Sequence, residues 1–594
     1  MTEKFIERPL KNEKDKAMQY LNSLLEQARK DNRSEDIENL EELTRLLHTK
    51  KYGLVWEEHA EFVEEEMKTK IPVFVEDTNR KIVGNPETAD YNFLLEGDNL
   101  HSLHLLEKTH TGKIDVIYID PPYNTGNKDF KYNDSFISKE DSFSHSKWLS
   151  FMERRLTVAK NLLATDGIIF ISIDDNEYAQ LKLLCDEIFG EQSYKDTLMV
   201  ELSSTGGNKV GTAQKGGIVK NGEYILIYSK KDLANTNRQP LYDFVPGFDK
   251  HFSLFMEDDG NVIKALDAIK KNKLIVEEFK QLSNGKEKLS LASFTKYFDK
   301  SEKIQEFVRN NLSKFCRLRE EVPNIPNEIS DKIQKGKYIT WHSGKRTAPY
   351  YLTQTKNGKI AQLAVMSATY HNTDDFISVF GRSTIRGDYW KDFWRDTGNL
   401  SKEGGVKLKN GKKPIRLIKQ LLKYTNRKNG ICLDFFAGSG TTGHAVELLN
   451  EEDGGNRKYI LCTNNENNIC EEITYKRLTN IQEELPHNLK YFKTDFVDKT
   501  KFPDFTLENE LLKYVTPLVE LEFGVDISDP SVQVILTEER LEELLQNNEL
   551  KEKTTIFIHP DVFLDSKEQK QLEKLDITLQ EIPDYFFGKE LWLW

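Results

Sequence analysis

The sequence predicts an α/β fold built on a doubly wound, mostly parallel β-sheet. Two apolar runs that suit buried strands, 114-IDVIYI and 431-ICLDFF, each end in a turn of unusual composition. Strand and helix patterns alternate around both runs, which is typical of βαβ units. At 594 residues the chain is too long for a single hydrophobic core, so we expect several domains.

The first set of alternating elements lies between residues 91 and 230. Short continuous apolar runs indicate strands buried on both faces, and longer segments with apolar residues at helical spacing indicate helices. The strand-like runs are 114-IDVIYI, 168-IIFISI and 224-YILIYS, and the helix-like runs are 146-SKWLSFMERRLTVAKNLL and 177-EYAQLKLLCDEIF.

The second set lies between residues 414 and 480 and has the same rhythm. A helix, 414-PIRLIKQLLKYT, precedes the strand 431-ICLDFF and the turn 437-AGSGTTG. A helix over about 441–450, the strand 458-KYILCT and a helix after Asn468 follow. The two sets together predict one sheet assembled from distant parts of the chain.

Composition divides the chain into five predicted regions. The segment between the two α/β sets is polar, basic and rich in aromatic residues, so we expect an inserted α+β domain there. The regions are a helical N-terminal region (1–80), one half of the main domain (81–235), the inserted domain (236–400), the other half of the main domain (401–490) and a small α/β C-terminal domain (491–594).

Charge and cysteine usage limit the possible partners and compartments. The net charge is −13, but basic residues outnumber acids between 201 and 400, so a nucleic-acid partner is not excluded. The five cysteines are scattered without CxxC pairs, and we expect neither disulfides nor a metal site. We find no apolar run of ~18 residues and no signal segment, and we expect a cytoplasmic protein that does not bind membranes.

The turn 438-GSGTTG follows a strand and opens a helix. It matches the G-x-G-x-x-G pattern, in which glycines let a ligand approach the backbone closely. A P-loop is excluded because His444 and Ala445 stand where Lys and Ser or Thr are required. Glu466, after the next strand, is the candidate acid for holding a ribose. The turn alone leaves open a nicotinamide dinucleotide, and hence an oxidoreductase, or S-adenosylmethionine.

The other motif-bearing turn is Asp120-Pro121-Pro122-Tyr123, at the end of the strand 114-IDVIYI. The Asp120 carboxylate and the Pro121 carbonyl are two acceptors that can bind both hydrogens of an exocyclic base amine. The tandem prolines hold that carbonyl in place, and Tyr123 can stack on a base removed from a duplex. A redox enzyme has no use for this arrangement, so the two turns together indicate a base methyltransferase.

Several spaced stretches resemble amino-group DNA methyltransferases of the permuted (beta) motif order, and more specifically the modification (Mod) subunits of type III restriction–modification systems. The resemblance covers most of residues 50–230 and 405–480. The matching stretches are 53-GLVWEEHAEFVEEEM, 96-EGDNLHSL, 120-DPPYNTG, 145-HSKWLSFMERRL, 165-TDGIIFISIDDNE, 222-GEYILIYSK, 411-GKKPIRLIKQLL and 434-DFFAGSGTTGHAVELLNEEDGGNRKYIL.

The resemblance assigns roles to single residues. It places Asp120, Pro121, Pro122 and Tyr123 in the catalytic motif. It implies that S-adenosylmethionine is held by the glycine turn and by residues elsewhere, with Asp98 near the adenine end, Lys413-Pro414 near the methionine moiety and Glu466 on the ribose. The implied cofactor-binding set is Asp98, Asn124, Thr125, Lys413, Pro414, Asp434, Phe436, Ala437, Gly438, Ser439, Gly440, Thr441, Thr442 and Glu466.

The resemblance also implies a function for each region. Residues 81–235 become the catalytic half and 401–490 the cofactor-binding half of a permuted methyltransferase domain. Residues 236–400 become the target-recognition domain, and 491–594 serve dimerisation or partner assembly. The expected DNA contacts are Lys345, Arg346, Arg382, Arg386 and Arg395.

The expected activity is methylation of a flipped adenine at N6 within a specific site on double-stranded DNA. The expected partners are a second copy of the chain and a restriction (Res) helicase–nuclease subunit. N4-methylation of cytosine remains an alternative because the amine geometry is alike. A specificity and assembly subunit whose methylation is dispensable is another, and so is a nicotinamide oxidoreductase.

Overall fold

A computed structural model of the chain describes residues 13–31, 33, 36–37, 39–41, 43–44, 56, 59–86, 88, 90–125, 144–204, 210–231, 238–320, 322, 324–344, 346–408, 411–502 and 505–583. The chain forms two compact units. One consists of Met1–Gln239 with Asp388–Trp594, and the other is Pro240–Gly387.

The described residues form 23 strands, numbered here in chain order. They are β1 (Lys70–Glu76), β2 (Ile82–Val83), β3 (Asn92–Glu96), β4 (Ile114–Ile119), β5 (Leu163–Ile173), β6 (Tyr194–Glu201), β7 (Gly222–Ser229), β8 (Tyr242–Phe244), β9 (Leu254–Met256), β10 (Val262–Lys264), β11 (Phe315–Arg319), β12 (Tyr338–Trp341), β13 (Tyr350–Gln354), β14 (Ile360–Val365), β15 (Tyr370–Asn372), β16 (Phe380–Ile385), β17 (Tyr389–Trp390), β18 (Asn429–Asp434), β19 (Asn456–Thr463), β20 (Asn488–Asp498), β21 (Val532–Ile535), β22 (Thr555–Ile558) and β23 (Thr578–Glu581).

An eleven-stranded sheet dominates the larger unit, with the strand order β1-β20-β3-β19-β18-β4-β5-β7-β6-β17 and β2 beside β20. From β20 to β5 every neighbouring pair is parallel, whereas β7 is antiparallel to both β5 and β6. The doubly wound, mostly parallel sheet predicted from the sequence is confirmed.

The strands that carry the two motif-bearing turns are neighbours. Cys432 of β18 lies opposite Val116 of β4, and Leu433 lies opposite Ile117. The chain runs from β18 to β19 in one direction along the sheet and from β4 to β5 in the other. Ligands of open α/β sheets bind at the carboxyl ends of the strands at such a switch point.

The larger unit also contains helices, several of which pack against this sheet, and strands β4, β5 and β18 bury almost all of their apolar side chains. The helices are Glu13–Lys30, Phe62–Thr69, Asn99–His110, Ser144–Leu162, Tyr178–Phe189, Val210–Gln214, Thr397–Leu400, Ile415–Thr425, Thr441–Asp453, Lys476–Asn480, Phe505–Leu512, Val515–Phe523, Glu538–Gln546 and Ser566–Lys574, with a π-helix at Ile469–Tyr475. No helix in the described ranges is long and apolar enough to cross a membrane.

Both ends of the chain differ from the predicted regions. The N-terminal region expected to be helical up to residue 80 contains β1, which pairs with β20 in the main sheet. The expected boundary at 490–491 falls inside β20, so the C-terminal part begins within the main sheet. Its helix Val515–Phe523 packs into the same core, whereas β21–β23 form a separate parallel sheet.

The smaller unit has the α+β composition that the sequence predicts. Its six-stranded antiparallel sheet has the order β10-β9-β11-β14-β13-β12, and a three-stranded sheet has the order β15-β16-β8. Phe248, Phe294 and Phe315 form the centre of its aromatic core. Its helices are Ala265–Lys271, Lys273–Leu282, Leu291–Phe298, Glu302–Arg309 and Asn327–Ser330.

Candidate active site

The catalytic motif predicted from the sequence lies directly after β4, at the carboxyl edge of the main sheet. Pro121 is buried, and the indole N–H of Trp148 donates to the Pro122 carbonyl at 2.7 Å. Trp148 belongs to the buried face of the helix Ser144–Leu162. Since proline fixes its own φ angle, two prolines and this hydrogen bond hold the turn rigidly.

Four polar side chains meet at this turn. The Tyr123 hydroxyl lies 2.8 Å from Asp120 Oδ1 and 3.0 Å from Glu223 Oε2. The Lys413 ammonium lies 2.6 Å from both the Tyr123 hydroxyl and Glu223 Oε2, and 3.3 Å from Asp120 Oδ1. We call Asp120, Tyr123, Glu223 and Lys413 the tip cluster.

The charges of the tip cluster depend on one another. Burial raises the pKa of the Asp120 carboxyl and Glu223 adds to this, whereas Lys413 lowers it. Burial lowers the pKa of Lys413, but Asp120 and Glu223 outweigh burial, so the net pKa lies above its ordinary value. Lys413 is therefore a permanent cation that favours the ionised form of Asp120.

The residues just after the motif are held by a buried carboxylate. Asn124 has a left-handed backbone (φ 56°), which asparagine tolerates better than most residues. Its amide donates to Glu177 Oε1 at 2.5 Å, and His145 Nδ1 lies 2.7 Å from the same oxygen. Burial raises the pKa of Glu177. Thr125 is half-buried and is the last described residue before position 144.

The glycine turn lies at the end of the neighbouring strand β18. Gly438 and Gly440 have positive φ angles of 49° and 72°. A Cβ on Gly440 would also lie 3.1 Å from a methyl group of Thr474. Glycine is therefore required there both by the backbone conformation and by the close neighbour.

Asp434 anchors the start of this turn. One of its carboxylate oxygens accepts the Phe436 N–H at 3.0 Å, and the other accepts the Thr442 hydroxyl. Burial, with a smaller contribution from Asp120, raises its pKa to about 7. The carboxylate therefore ties the strand end to the first turn of the helix Thr441–Asp453.

Arg477, which the sequence does not indicate as a site residue, supports the glycine turn from a later helix. Its side chain is completely buried, and its guanidinium donates to the Thr441 hydroxyl at 2.8 Å and to the Ser439 hydroxyl at 3.2 Å. Thr474 donates to the Gly438 carbonyl. Phe436 and Ala437 are buried beside the turn.

A second set of contacts joins the β3 end to the same edge. Asp98 begins the helix Asn99–His110 and accepts the N–H of Leu100 at 2.8 Å. The Asn99 amide donates to the Phe435 carbonyl at 2.8 Å. Arg155, fully buried and also missed from the sequence, donates to Asn99 at 2.6 Å and binds Asp98 at 3.3 Å.

The structure places Glu466 in an exposed 3₁₀ turn after β19, on the same edge of the sheet as the tip cluster. Its ribose-binding role stays a prediction. Pro414 precedes the helix Ile415–Thr425, as the matched motif implies. Lys413 contacts the predicted catalytic motif, and no local feature of the sequence indicates this contact. Glu223 was not predicted either, although its position in the matched stretch 222-GEYILIYSK could have indicated that it belongs to the site.

The expected DNA contacts have different surroundings. Arg346 is exposed and its guanidinium lies over the Tyr350 ring, and Arg395 is exposed beside Asp392. Arg382 is half-buried and donates to the Pro246 carbonyl at 3.3 Å. The prediction for Arg386 is wrong, because only 2% of its side chain is exposed and it pairs with Asp243 at 2.7 Å. Lys345 lies outside the described residues.

Known proteins share this combination of motifs. The DNA methylase family model matches residues 114–475, which is more than half of the chain and spans both motif-bearing turns. The chain belongs to the DNA methylase family. Within it, the chain is 32% identical over 409 residues to the type II methyltransferase M.KpnI of Klebsiella pneumoniae, covering 68% of this chain and 88% of that protein.

The resemblance to type III modification subunits is also confirmed. The chain is 29% identical over 466 residues to the StyLTI Mod subunit of Salmonella typhimurium, covering 70% of this chain and 59% of that subunit. It is 30% identical over 403 residues to the EcoPI Mod subunit of Escherichia phage P1, covering 62% and 57%. The chain thus spans a little over half the length of these two relatives.

Proposed function

We propose that this DNA methylase transfers a methyl group from S-adenosylmethionine to N6 of a flipped adenine at a specific site in double-stranded DNA. The observation that carries the proposal is the adjacency of β4 and β18. It brings the Asp120 motif and the glycine turn to the same edge of the sheet. A base bound at one turn then lies beside a cofactor bound at the other.

The residues around the glycine turn fit S-adenosylmethionine. Glycines at 438 and 440 leave the backbone open to close approach by a ligand. Asn464 Oδ1, directly after β19, is buried and accepts no hydrogen bond from the described residues, so it is suited to a ligand hydroxyl or amine. Asp98 and Glu466 lie at the ends of the adjoining strands β3 and β19. When bound, the cofactor supplies an electrophilic methyl group.

The tip of β4 is suited to activating an amine. The exocyclic nitrogen of adenine is a poor nucleophile because its lone pair is delocalised into the ring. Asp120 and the Pro121 carbonyl can accept its two hydrogens and favour a tetrahedral nitrogen with an exposed lone pair. The Pro122 carbonyl is engaged by Trp148, which leaves this task to Pro121. Tyr123 supplies an aromatic face for the flipped base.

We assign sequence recognition to the inserted domain, expected over 236–400 and represented by the compact unit Pro240–Gly387. Its exposed Arg346 and half-buried Arg382 carry guanidinium groups that suit phosphate or guanine contacts. Lysine and arginine outnumber acidic residues in this part of the sequence, which favours a polyanionic partner.

We infer that the chain is the modification and specificity subunit of a type III restriction–modification system. The names of two relatives, the StyLTI and EcoPI Mod subunits, support this assignment. From this assignment we expect two partners, a second copy of the chain and a Res helicase–nuclease subunit, with residues 491–594 as the assembly region. We also expect a DNA-modifying enzyme of this kind to act in the cytoplasm.

Nucleoside mass spectrometry tests the proposal. The chain and its Asp120→Ala variant would be expressed in a host without adenine or cytosine DNA methylation. N6-methyladenine with the wild type alone is the expected result, and mapping the modified positions gives the site. Detection of N4-methylcytosine instead would mean that the target base is cytosine. If neither modified base is found, the proposed methyltransferase activity is overturned, and the alternative of a specificity subunit with dispensable methylation remains.

A further inference from the structure

Methyl transfer to an amine leaves a proton to be removed. The new N–C bond forms with the nitrogen lone pair while the S–C bond breaks and its electrons stay on sulfur. The methylated nitrogen then carries a positive charge until one N–H proton departs. Asp120 is the nearest base, but a carboxylate that keeps this proton cannot serve the next turnover, so the proton needs an onward acceptor.

We propose that Glu223 takes up this proton from Asp120 through the hydroxyl of Tyr123. The inference rests on the proposed function and adds a residue and a route to it. Three oxygens form an unbroken hydrogen-bonded path, with 2.8 Å from Asp120 Oδ1 to the Tyr123 hydroxyl and 3.0 Å from there to Glu223 Oε2. Distances of this length allow direct proton transfer.

The Tyr123 hydroxyl has one proton and two carboxylate neighbours. It can therefore donate to only one of them at a time. When Asp120 receives the amine proton, Tyr123 passes its own proton to Glu223 and accepts the proton of Asp120. The amine loses one proton, Glu223 gains one, and Asp120 and Tyr123 return to their starting states.

Lys413 makes this transfer electrostatically feasible. Its ammonium lies 2.6 Å from the Tyr123 hydroxyl oxygen, where it stabilises the negative charge that develops as the phenolic proton moves. With both carboxyls ionised, the tip cluster has two negative charges and one positive charge. The arrival of one proton therefore brings the cluster to neutrality.

Glu223 also has a route to solvent. It lines a cavity of about 500 Å³ whose walls include Asp174, Ser203, Ile218, Lys220 and Asn221. The Glu223 side chain is 29% exposed, compared with 20% for Asp120 and 12% for Lys413. Of the charged groups in the tip cluster it is the most accessible to water, which suits it to release the proton.

The test compares Glu223→Gln, Glu223→Ala and Tyr123→Phe with the wild type in multiple-turnover methylation of DNA carrying the mapped site. Glu223→Gln keeps the side-chain shape but is a poor proton acceptor, and Tyr123→Phe keeps the aromatic face but removes the hydroxyl. Each should lower the multiple-turnover rate by about 10²-fold, because Asp120 must lose its proton before the next methyl transfer. Glu191→Gln, an exposed change outside the cluster, should keep the wild-type rate.

Two further readouts separate proton uptake from a structural role. Added formate should restore the rate of Glu223→Ala by entering the space left in the cavity, whereas it should not restore Glu223→Gln. Without cofactor, 2-aminopurine at the target position should report the same base flipping in the wild type and Glu223→Gln. A purely structural defect would not be repaired by a small free base.

Three results would overturn the relay. They are a Glu223→Gln rate within twofold of the wild type, a Glu223→Ala rate that formate does not raise, and a Glu223→Gln variant that fails to flip the base. If the wild type itself methylates no DNA, the proposed function fails, and the relay falls with it. A wild type that methylates beside an equally fast Glu223→Gln overturns the relay alone.

Discussion

Asp120 and Asp434 stand at equivalent places, at or directly after the ends of the neighbouring parallel strands β4 and β18, but in different surroundings. Asp120 meets a cation, a second acid and a hydroxyl in the tip cluster. Within the described ranges, the hydrogen-bond donors to the Asp434 carboxylate are the neutral Phe436 N–H and Thr442 hydroxyl. Burial raises the pKa of both carboxyls. The partners, and not the position in the sheet, therefore make one carboxyl suited to chemistry and the other to anchoring a turn.

Replacing Asp120 by Ala should separate the two carboxyls most sharply. It removes an acceptor for the target amine, so methylation should fall by at least about 10²-fold. Binding of S-adenosylmethionine, measured by calorimetry, should stay within a few-fold of the wild type because the glycine turn is untouched. Loss of cofactor binding in this variant would show that Asp120 belongs to the cofactor site.

Replacing Lys413 by Met tests the cation that distinguishes Asp120 from Asp434. Lys413 lowers the pKa of Asp120 against the effect of burial. Without it, Asp120 should be protonated at a higher pH, and the acidic limb of the activity profile should move up by at least about one pH unit. Lys428→Met, on a lysine outside the cluster, is the matched control. An unmoved acidic limb would contradict the coupling.

Asp434 should affect stability in a pH-dependent way. Its folded-state pKa of about 7 lies above its ordinary value of 3.8, so the folded protein binds its proton more tightly than the unfolded chain does. This contribution is present at acidic pH and is lost as pH rises through 7. The Tm of Asp434→Asn relative to the wild type should therefore increase between about pH 5 and about pH 8. A constant difference would mean that Asp434 is ionised throughout.

The smallest expected effect is that of Glu466→Ala. Loss of hydrogen bonds to a ribose from an exposed turn should weaken S-adenosylmethionine binding by about tenfold. Glu483→Ala, on another exposed 3₁₀ turn, should leave the affinity unchanged. Equal affinities for the two variants would remove Glu466 from the cofactor site and leave Asn464 as the acceptor after β19.

The parts of the fold that the sequence predicts are those with a local signal. Strands β4, β5, β18 and β19 are apolar runs bounded by turn residues, and the pairing of β4 with β18 follows from the two motifs they carry. Strand β3, with only five residues, and strand β20, which begins Asn-Leu-Lys-Tyr, were not predicted. Their sequences are short or polar, and they form strands because β3 and β20 lie side by side and hydrogen-bond to each other through their backbones.

The supporting residues of the site could not be predicted because their partners are distant in the sequence. Arg477 lies 36 residues from Thr441, and Glu223 lies 100 residues from Tyr123. Arginine is usually solvent-exposed, so nothing local marks Arg155 or Arg477 as fully buried. Arg386 shows the reverse error, because its charge suggested DNA contact while Asp243 and the Asp374 carbonyl hold it inside.

The pairing of β4 with β18 also constrains how the chain is made. Ile431 donates its N–H to the Asp115 carboxylate across a separation of 316 residues. At roughly 5–20 residues per second, a ribosome needs roughly 15–60 s to deliver β18 after β4 has emerged. Throughout that interval β4 lacks its native neighbour β18, and its free edge can pair with the wrong strand. We therefore expect the rate of translation, and chaperone protection of the N-terminal half of the chain, to affect the yield of active enzyme more than the stability of the finished fold does.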